Sequence, residues 1–342
     1  MTLIPTTIQT KKENKVKDEI KEILLENGDK KYENITELLK SVPPPPWRAY
    51  ENAKEKEDKR TYIPTSYELE VVKAAIYLRR PLLVTGKPGI GKSALAKAIV
   101  KALDLGELLH WQITTESTLK EALYSYDAIG RLQDIQLKNG LAGEDISTDI
   151  EHYLKLQALG AAFASEEKPK VLLVDELDKS DVDLPNSLLH IFEEGYFEIP
   201  ELKRLKNSEK NSIIETIDGD RAEITNGKVV CRHFPIVIIT SNGEREFPPA
   251  FKRRCLHIEL HKPEKKELIK IVKSNLGIDI NEKDPILDIF VDKRDDSNDN
   301  IATDQLLNAI YLRTEGIIKE TDLESLKTDP LIEKIFEPLS ES

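Results

Sequence analysis

Short strand-like runs, three of them almost wholly apolar, alternate with stretches of helical spacing through the middle of the chain. Leu82–Val84, Leu108–Ile113, Val171–Val174, Pro235–Thr240 and Leu256–Leu260 each read as a short strand. Val171–Val174 is apolar at every position, not at every second one. That is the pattern of a central parallel strand covered on both faces. Between the runs, apolar residues recur at helical spacing. Leu69, Val72, Ile76 and Leu78 give an apolar side to a helix that Thr65 caps together with Glu68. Ala94–Leu103 predicts a second helix, Ser117–Lys120 opens a short third one, and His152–Ala164 predicts another. Leu184, Leu188, Ile191 and Phe192 mark an amphipathic helix that Gly195 ends. Tyr124–Leu137 fits neither period well. Strand and helix in alternation predict an α/β fold, a parallel sheet between helices. From Pro263 onward the pattern is helical only, in Lys265–Asn275, Asp284–Val291, Thr303–Arg313 and Leu323–Phe336, and predicts a small all-helical domain.

The flanks differ. Val16, Ile20, Ile23 and Leu24 recur at helical spacing up to Asn27-Gly28, and Asn34 with Glu37 opens a second short helix. The run Val42-Pro43-Pro44-Pro45-Pro46-Trp47 predicts an extended spacer. The expected organisation is therefore a helical extension with a proline-rich linker over 1–61, an α/β domain over 62–261, and a helical lid with tail over 262–342. Within the α/β domain, residues 200–212 are polar and predict an exposed loop. Asp218-Gly219 and Asn226-Gly227 are hairpin turns, with Ala222–Thr225 and Lys228–Arg232 as strands around the second.

Composition narrows the partners. Charged residues make up 33% of the 342 residues and the formal net charge is −12, which argues against a nonspecific grip on nucleic acid. No apolar run approaches the ~20 residues of a membrane helix, and the N-terminus lacks an apolar signal core, so the expected location is cytoplasmic, with no membrane partner. Cys231 and Cys255 have no metal-ligand spacing and read as reduced thiols; the histidines form no ligand cluster.

Candidate chemistry sits at the ends of the predicted strands. Leu82–Val84 runs into Gly86-Lys87-Pro88-Gly89-Ile90-Gly91-Lys92-Ser93, the pattern G-x-x-x-x-G-K-S, and Ala94 opens the next helix. Glycines let backbone N–H groups turn toward phosphate oxygens, and the helix directs the positive end of its dipole at them. Lysine reaches the outer phosphates and the serine hydroxyl suits Mg²⁺. The bland alternative is a glycine-rich turn with no ligand. The run at 171–174 ends in Asp175-Glu176, an acidic pair suited to holding Mg²⁺ and orienting a water, or simply to capping a helix. Pro235–Thr240 ends in Ser241-Asn242, where an amide can donate to a phosphate and accept from a water. A short helix then carries Lys252-Arg253-Arg254. Tyr62-Ile63-Pro64 forms an apolar strap before the first helix, suited to lying over a base or to core packing.

Phosphate loop, Asp-Glu strand, Asn-tipped strand and Arg-bearing helix, followed by helices, resemble the order of an AAA+ ATPase, and of the MoxR family in particular. The likeness is strongest in Val171–Pro200 and Ile236–Leu256 and spans roughly Tyr62 to Arg313. It implies Gly86–Ser93 as Walker A and Asp175-Glu176 as Walker B. It implies Asn242 as sensor 1, and Arg254, with Arg253 as alternate, as an arginine finger acting on a neighbouring subunit. It implies ATP and Mg²⁺, a homo-hexameric ring, and chaperone-like remodelling of a client such as a protein with a von Willebrand A domain; some relatives serve bacterial defence. Tyr124–Leu137 and the Asn226-Gly227 hairpin match the family's two inserts. Gln305 stands where the family's sensor-2 arginine is expected, and a neutral amide cannot replace a guanidinium on a phosphate. Two other classes remain open: an ATP-gated assembly switch with little turnover, and a GTP-driven restriction-type motor.

Overall fold

The computed structural model describes residues 21, 23–27, 30–48, 62–140, 149–204, 211–296, 301–320 and 322–338. The expected helix through Val16 and Ile20 and its stop at Gly28 lie outside them. The chain forms two compact units: Tyr62–Lys262, and Met1–Thr61 together with Pro263–Ser342.

In the first unit, α1 (Ser66–Leu78) leads into β1 (Leu82–Thr85), and the phosphate loop into α2 (Lys92–Leu103). There follow β2 (Leu109–Gln112), α3 (Leu119–Leu123), β3 (Tyr124–Tyr126), α4 (Ala128–Gly140), β4 (Leu154–Leu156) and α5 (Ala158–Phe163). Next come β5 (Val171–Asp175), α6 (Leu184–Glu194), β6 (Tyr196–Glu198), α7 (Pro200–Lys203), β7 (Asn211–Thr216), β8 (Arg221–Thr225) and β9 (Lys228–Val230). The unit ends with β10 (Ile236–Ser241), α8 (Pro249–Arg254) and β11 (Leu256–Glu259).

All five expected apolar strands pair in one parallel sheet, in the order β11-β1-β10-β5-β2. Their side chains divide by the two-residue period of a strand. Leu82, Val84, Val171, Leu173 and Ile238 join Val72, Ala75, Leu95 and Ile99 in a core under α1 and α2. Leu83, Leu172, Val174, Val237 and Ile239 join a second core with α5 and α6. Both faces are covered, which is why the runs of the three central strands, β1, β10 and β5, carry no alternation, whereas the edge strands β2 and β11 mix polar and apolar residues.

A second sheet has six strands in the order β3-β4-β7-β8-β9-β6. Ile214, Ala222, Ile224, Val229 and Phe197 point from it into the core shared with α5 and α6. It corrects one expectation and extends two others. Leu154–Leu156 is a strand rather than part of a helix, because Leu154 and Leu156 alternate inward, at 3% and 0% exposure. Gly195 ends α6 but the chain re-enters a sheet at once as β6. Tyr124–Leu137 resolves into β3 and α4, and β3 pairs with β4, so the two expected inserts are parts of one sheet. Gly160 makes this joint: a Cβ there would lie 1.8 Å from the Leu123 carbonyl oxygen.

Thr65 and Glu68 form the expected capping box on α1. The apolar side of that helix is narrower than expected. Val72 and Ala75 are buried, whereas Leu69 and Leu78 are 50% and 57% exposed.

The second unit holds α9 (Lys265–Leu276), α10 (Pro285–Asp296), α11 (Thr303–Thr314), α12 (Leu323–Lys327) and α13 (Pro330–Ile335) around Leu268, Ile286, Phe290, Leu306 and Phe336. The expected last helix is two, since Pro330 cannot continue one and Asp329 caps a new start. Described residues of the N-terminal segment belong here. Trp47 packs on this core and the Tyr311 hydroxyl donates to the Pro43 carbonyl. The proline run is not extended throughout: Pro46–Arg48 turns as a 3₁₀ segment that brings Trp47 inward.

Candidate functional site

The candidate residues meet at the C-terminal ends of β1, β5 and β10, adjacent strands of the parallel sheet. The loop after β1 turns through positive φ at Gly86 (144°), Gly89 (76°) and Gly91 (102°), a region that L side chains rarely adopt. Space adds a second constraint. A Cβ on Gly86 would lie 2.8 Å from the Leu260 carbonyl oxygen, and one on Gly91 would lie 3.0 Å from the Tyr62 ring. Tyr62 therefore lies against the loop, while Ile63 beside it is 43% exposed.

Lys92 opens α2 and is 7% exposed. Its ammonium donates to the carbonyl oxygens of Gly86 (2.7 Å) and Lys87 (2.9 Å) and to Asn242 Oδ1 (2.6 Å). Burial lowers its pKa, opposed first by Asp178 and then by Asp175, Glu176 and Glu244. Ser93 Oγ donates to Asp175 Oδ1 at 2.8 Å. Asp175 also accepts from Thr240 Oγ1 at 2.5 Å, and His110 Nε2 lies 3.2 Å from its other oxygen. Burial works to raise the Asp175 pKa, but these contacts from His110, Thr240 and Ser93 hold it below the usual carboxylate value. The carboxylate is thus ionised at neutral pH.

Glu176 occupies the left-handed region at φ 62°, ψ 47°, the only non-glycine among the candidates to do so. Such a conformation costs roughly 1–3 kcal/mol and persists only where its surroundings impose it. Here the Glu176 amide donates to Thr240 Oγ1 at 2.8 Å. Its carboxylate accepts from Gln112 (2.9 Å), Lys179 (3.0 Å) and Asn242 (3.3 Å). Asn242 therefore joins Lys92 to Glu176 through the two ends of one amide.

Sequence reading missed four supporting residues. Thr240 is fully buried and bonds to both halves of the acidic pair. Its signal was a hydroxyl inside an otherwise apolar run. Asp178 accepts from the amides of Asn242 (2.9 Å) and Glu244 (3.1 Å) and so fixes the loop after β10. Among the described residues its second oxygen is buried without a hydrogen-bond partner. Gln112 and His110 alternate on β2 and become recognisable only when the sheet places β2 beside β5.

Arg253 and Arg254 lie at the end of α8, apart from this cluster. Both are exposed, and Arg254 pairs with Glu193 on α6. In the helical unit, the Gln305 amide donates to the carbonyls of Ile335 (2.7 Å) and Glu337 (2.8 Å) and accepts from the Ala302 amide (2.7 Å). Arg313 forms a two-point pair with Asp284, at 2.9 and 2.7 Å. Among the described residues no group of three or more His, Cys, Asp or Glu side chains is placed to hold a metal ion by itself, and no helix is long and apolar enough to cross a membrane.

No curated protein matches the chain. Among solved structures it matches a "putative ATPase" from Cytophaga hutchinsonii at 15% identity and a TM-score of 0.39, over 66% of this chain and 54% of that one. Residues 81–255, from the start of β1 to the end of α8, match the model of the AAA domain, dynein-related subfamily. With a glycine-shaped phosphate loop, a buried lysine and an acidic strand end in one place, the chain belongs to the AAA family of ATPase domains, in its dynein-related subfamily.

Proposed function

We propose that the chain hydrolyses ATP with Mg²⁺ and uses the cycle to remodel or switch a partner protein, in the manner of the MoxR family. One observation carries this reading: Lys92, Asn242 and Glu176 are joined by hydrogen bonds, Ser93 bonds to Asp175, and Thr240 ties Asp175 to Glu176, all beside the phosphate loop.

The groups present fit nucleotide and metal. Ser93 and Asp175 present a hydroxyl and an ionised carboxylate 2.8 Å apart, the oxygen donors that a hard divalent cation takes. Bound there, Mg²⁺ supplies neutralising charge to the phosphates. Gly86, Lys87, Pro88, Gly89, Ile90, Gly91 and Ala94 shape the cradle around the phosphates, and Tyr62-Ile63 flanks the base. Phosphate oxygens compete with the carbonyls and with Asn242 for the Lys92 ammonium. Asn242 is then released to align the attacking water, which Glu176 orients and polarises. The remaining charge of the transition state is met by Arg254, or Arg253, of a neighbouring copy in a hexameric ring. An arginine of this kind contributes about 10³-fold or more to the rate. Its exposure on a short helix, away from its own phosphate loop, supports that assignment.

Remodelling, a von Willebrand A partner, a cytoplasmic or defence setting and the lid role of residues 263–342 rest on the family resemblance. Steady-state ATPase assays of wild type and Glu176→Gln test the reading, with nucleotide binding measured in parallel. The expected result is a turnover lower by about 10²–10⁴-fold in the variant, with binding retained. Equal background rates in both would favour the second reading, an assembly switch with little turnover. One observation supports that alternative: Gln305 and Arg313 are both fully engaged inside the helical unit. Replacing ATP by GTP in the same assay separates the restriction-type motor.

A further inference from the structure

At the end of the parallel sheet away from the phosphate loop, a hollow of about 220 Å³ lies where β1 and β10 begin. Val72, Ala75 and Ile76 of α1 face Leu82 and Ile236–Ile238 across an apolar floor. Arg79, Arg80, Arg232 and His233 line the same hollow, and among the described residues no carboxylate does. In a chain of net charge −12, four basic side chains around one apolar hollow run against the average.

Structural duties account for three of the four. Arg79 caps α1, its guanidinium donating to the Ile76 carbonyl at 2.5 Å. Arg232 pairs with Glu166 at 3.4 Å, and His233 lies 3.0 Å from the Glu166 carbonyl oxygen. Arg80 is different. Its amide closes the helix on Ala75, but among the described residues its exposed guanidinium has neither hydrogen-bond nor ion-pair partner. A guanidinium without such a partner, on a residue that lines an apolar hollow, suits a ligand with an apolar body and a carboxylate head.

The floor also decides what kind of ligand. β1 and β10 pair with each other and have strands on their outer sides, β11 and β5. No free strand edge is offered, so an extended peptide would leave its own amides unpaired against apolar side chains. The volume equals roughly seven water molecules, at about 30 Å³ each. We infer that this hollow is a binding site for a free aliphatic monocarboxylate of about eight carbons, its chain on the α1–β1–β10 floor and its carboxylate on Arg80. The site is separate from the nucleotide site and does not rest on the proposed ATPase cycle.

Equilibrium dialysis of radiolabelled octanoate against the full chain tests this. One saturable site per chain is expected. Arg80→Glu should weaken it at least tenfold and Ala75→Leu, which fills the floor, by a similar factor. Methyl octanoate, without the charge, should not compete. Far-UV circular dichroism and the thermal unfolding midpoint serve as the folding control for both variants, and Arg80→Gln gives a second substitution that removes the charge. Absence of saturable binding, or binding indifferent to Arg80→Glu, Arg80→Gln and Ala75→Leu in chains that keep the wild-type circular dichroism, would overturn the site. So would a preference for an acetylated Asp-Leu-amide peptide over octanoate.

Discussion

The two sheets of the α/β unit are built from strands of similar length but by opposite rules. In the parallel sheet the three central strands, β1, β10 and β5, are local signals, apolar runs with polar chemistry at their tips. In the second sheet only the hairpin strands β8 and β9 announce themselves, through the Asn226-Gly227 turn. Its six members come from four separated stretches of chain, at 124–126, 154–156, 196–198 and 211–230. The first sheet places the candidate site, since three neighbouring strand ends deliver Lys92, Asp175, Glu176 and Asn242 to one point. The second sheet places nothing at that point. Its link to the first is mechanical: Lys170, directly before β5, donates to Asp218 and to Asp220 (2.7 Å) at the turn between β7 and β8. Substitutions at the tips of the parallel sheet should therefore act first on turnover, and substitutions at the joint should act first on stability.

The largest effect beyond Glu176 itself is expected at Thr240. Thr240→Val leaves the Glu176 amide without its acceptor and removes a donor from Asp175. We expect turnover to fall by about 10²-fold or more, with a stability loss of about 1–3 kcal/mol. Nucleotide affinity and denaturant midpoint, measured together, separate the two. If stability falls and turnover does not, the acidic pair does not depend on this clamp.

Next comes Lys170→Met. Lys170 is 9% exposed and the Asp218 side chain likewise, so the variant leaves a buried carboxylate unpaired. A loss of about 3–5 kcal/mol is expected in urea unfolding at neutral pH, with ATP affinity retained. The pH dependence follows from the two partners. Burial works to raise the Asp218 pKa, but Lys170 and Thr216 hold it below its ordinary value; its contribution is present above the unfolded value of about 4 and lost as pH falls through the folded one. Burial works to lower the Lys170 pKa, but Asp218 and Asp220 raise it; its contribution is present below about 10.4 and lost as pH rises through the folded value. The difference between wild type and Lys170→Met should therefore be largest between those limits and shrink toward both. A constant difference across pH would mean that packing, not charge, makes the joint.

The smallest effect belongs to Asn226, at φ 58° in the turn between β8 and β9. Asn226→Gly should shift stability by only a few tenths of a kcal/mol, and turnover not at all, because asparagine already tolerates this conformation.

What could be read from the sequence divides along the same line. Val171–Val174 and Leu82–Val84 identified themselves, because burial on both faces leaves no room for polar residues. The phosphate loop and Asp175-Glu176 were legible because their chemistry depends on local spacing. Thr240, Asp178 and Gln112 were not. Each acts on a residue about 64 positions away, and only the sheet brings the partners together. Leu154–Leu156 was misread as helix because three residues of alternation are too few to outweigh the Ala-rich helix that follows. The proline run was misread because its stiffness is local, while the contact that turns Trp47 inward is not.

The central claim is that the phosphate-loop cluster is half of a site and that Arg254 of another copy completes it. Mixing two variants tests this most directly. Glu176→Gln and Arg254→Ala should each be nearly inactive alone. In a mixture, some interfaces join an intact Glu176 to an intact Arg254 from the other chain, and ATP turnover should reappear in proportion to those interfaces. A mixture as inactive as its components, under conditions where wild-type chains assemble, would contradict the account.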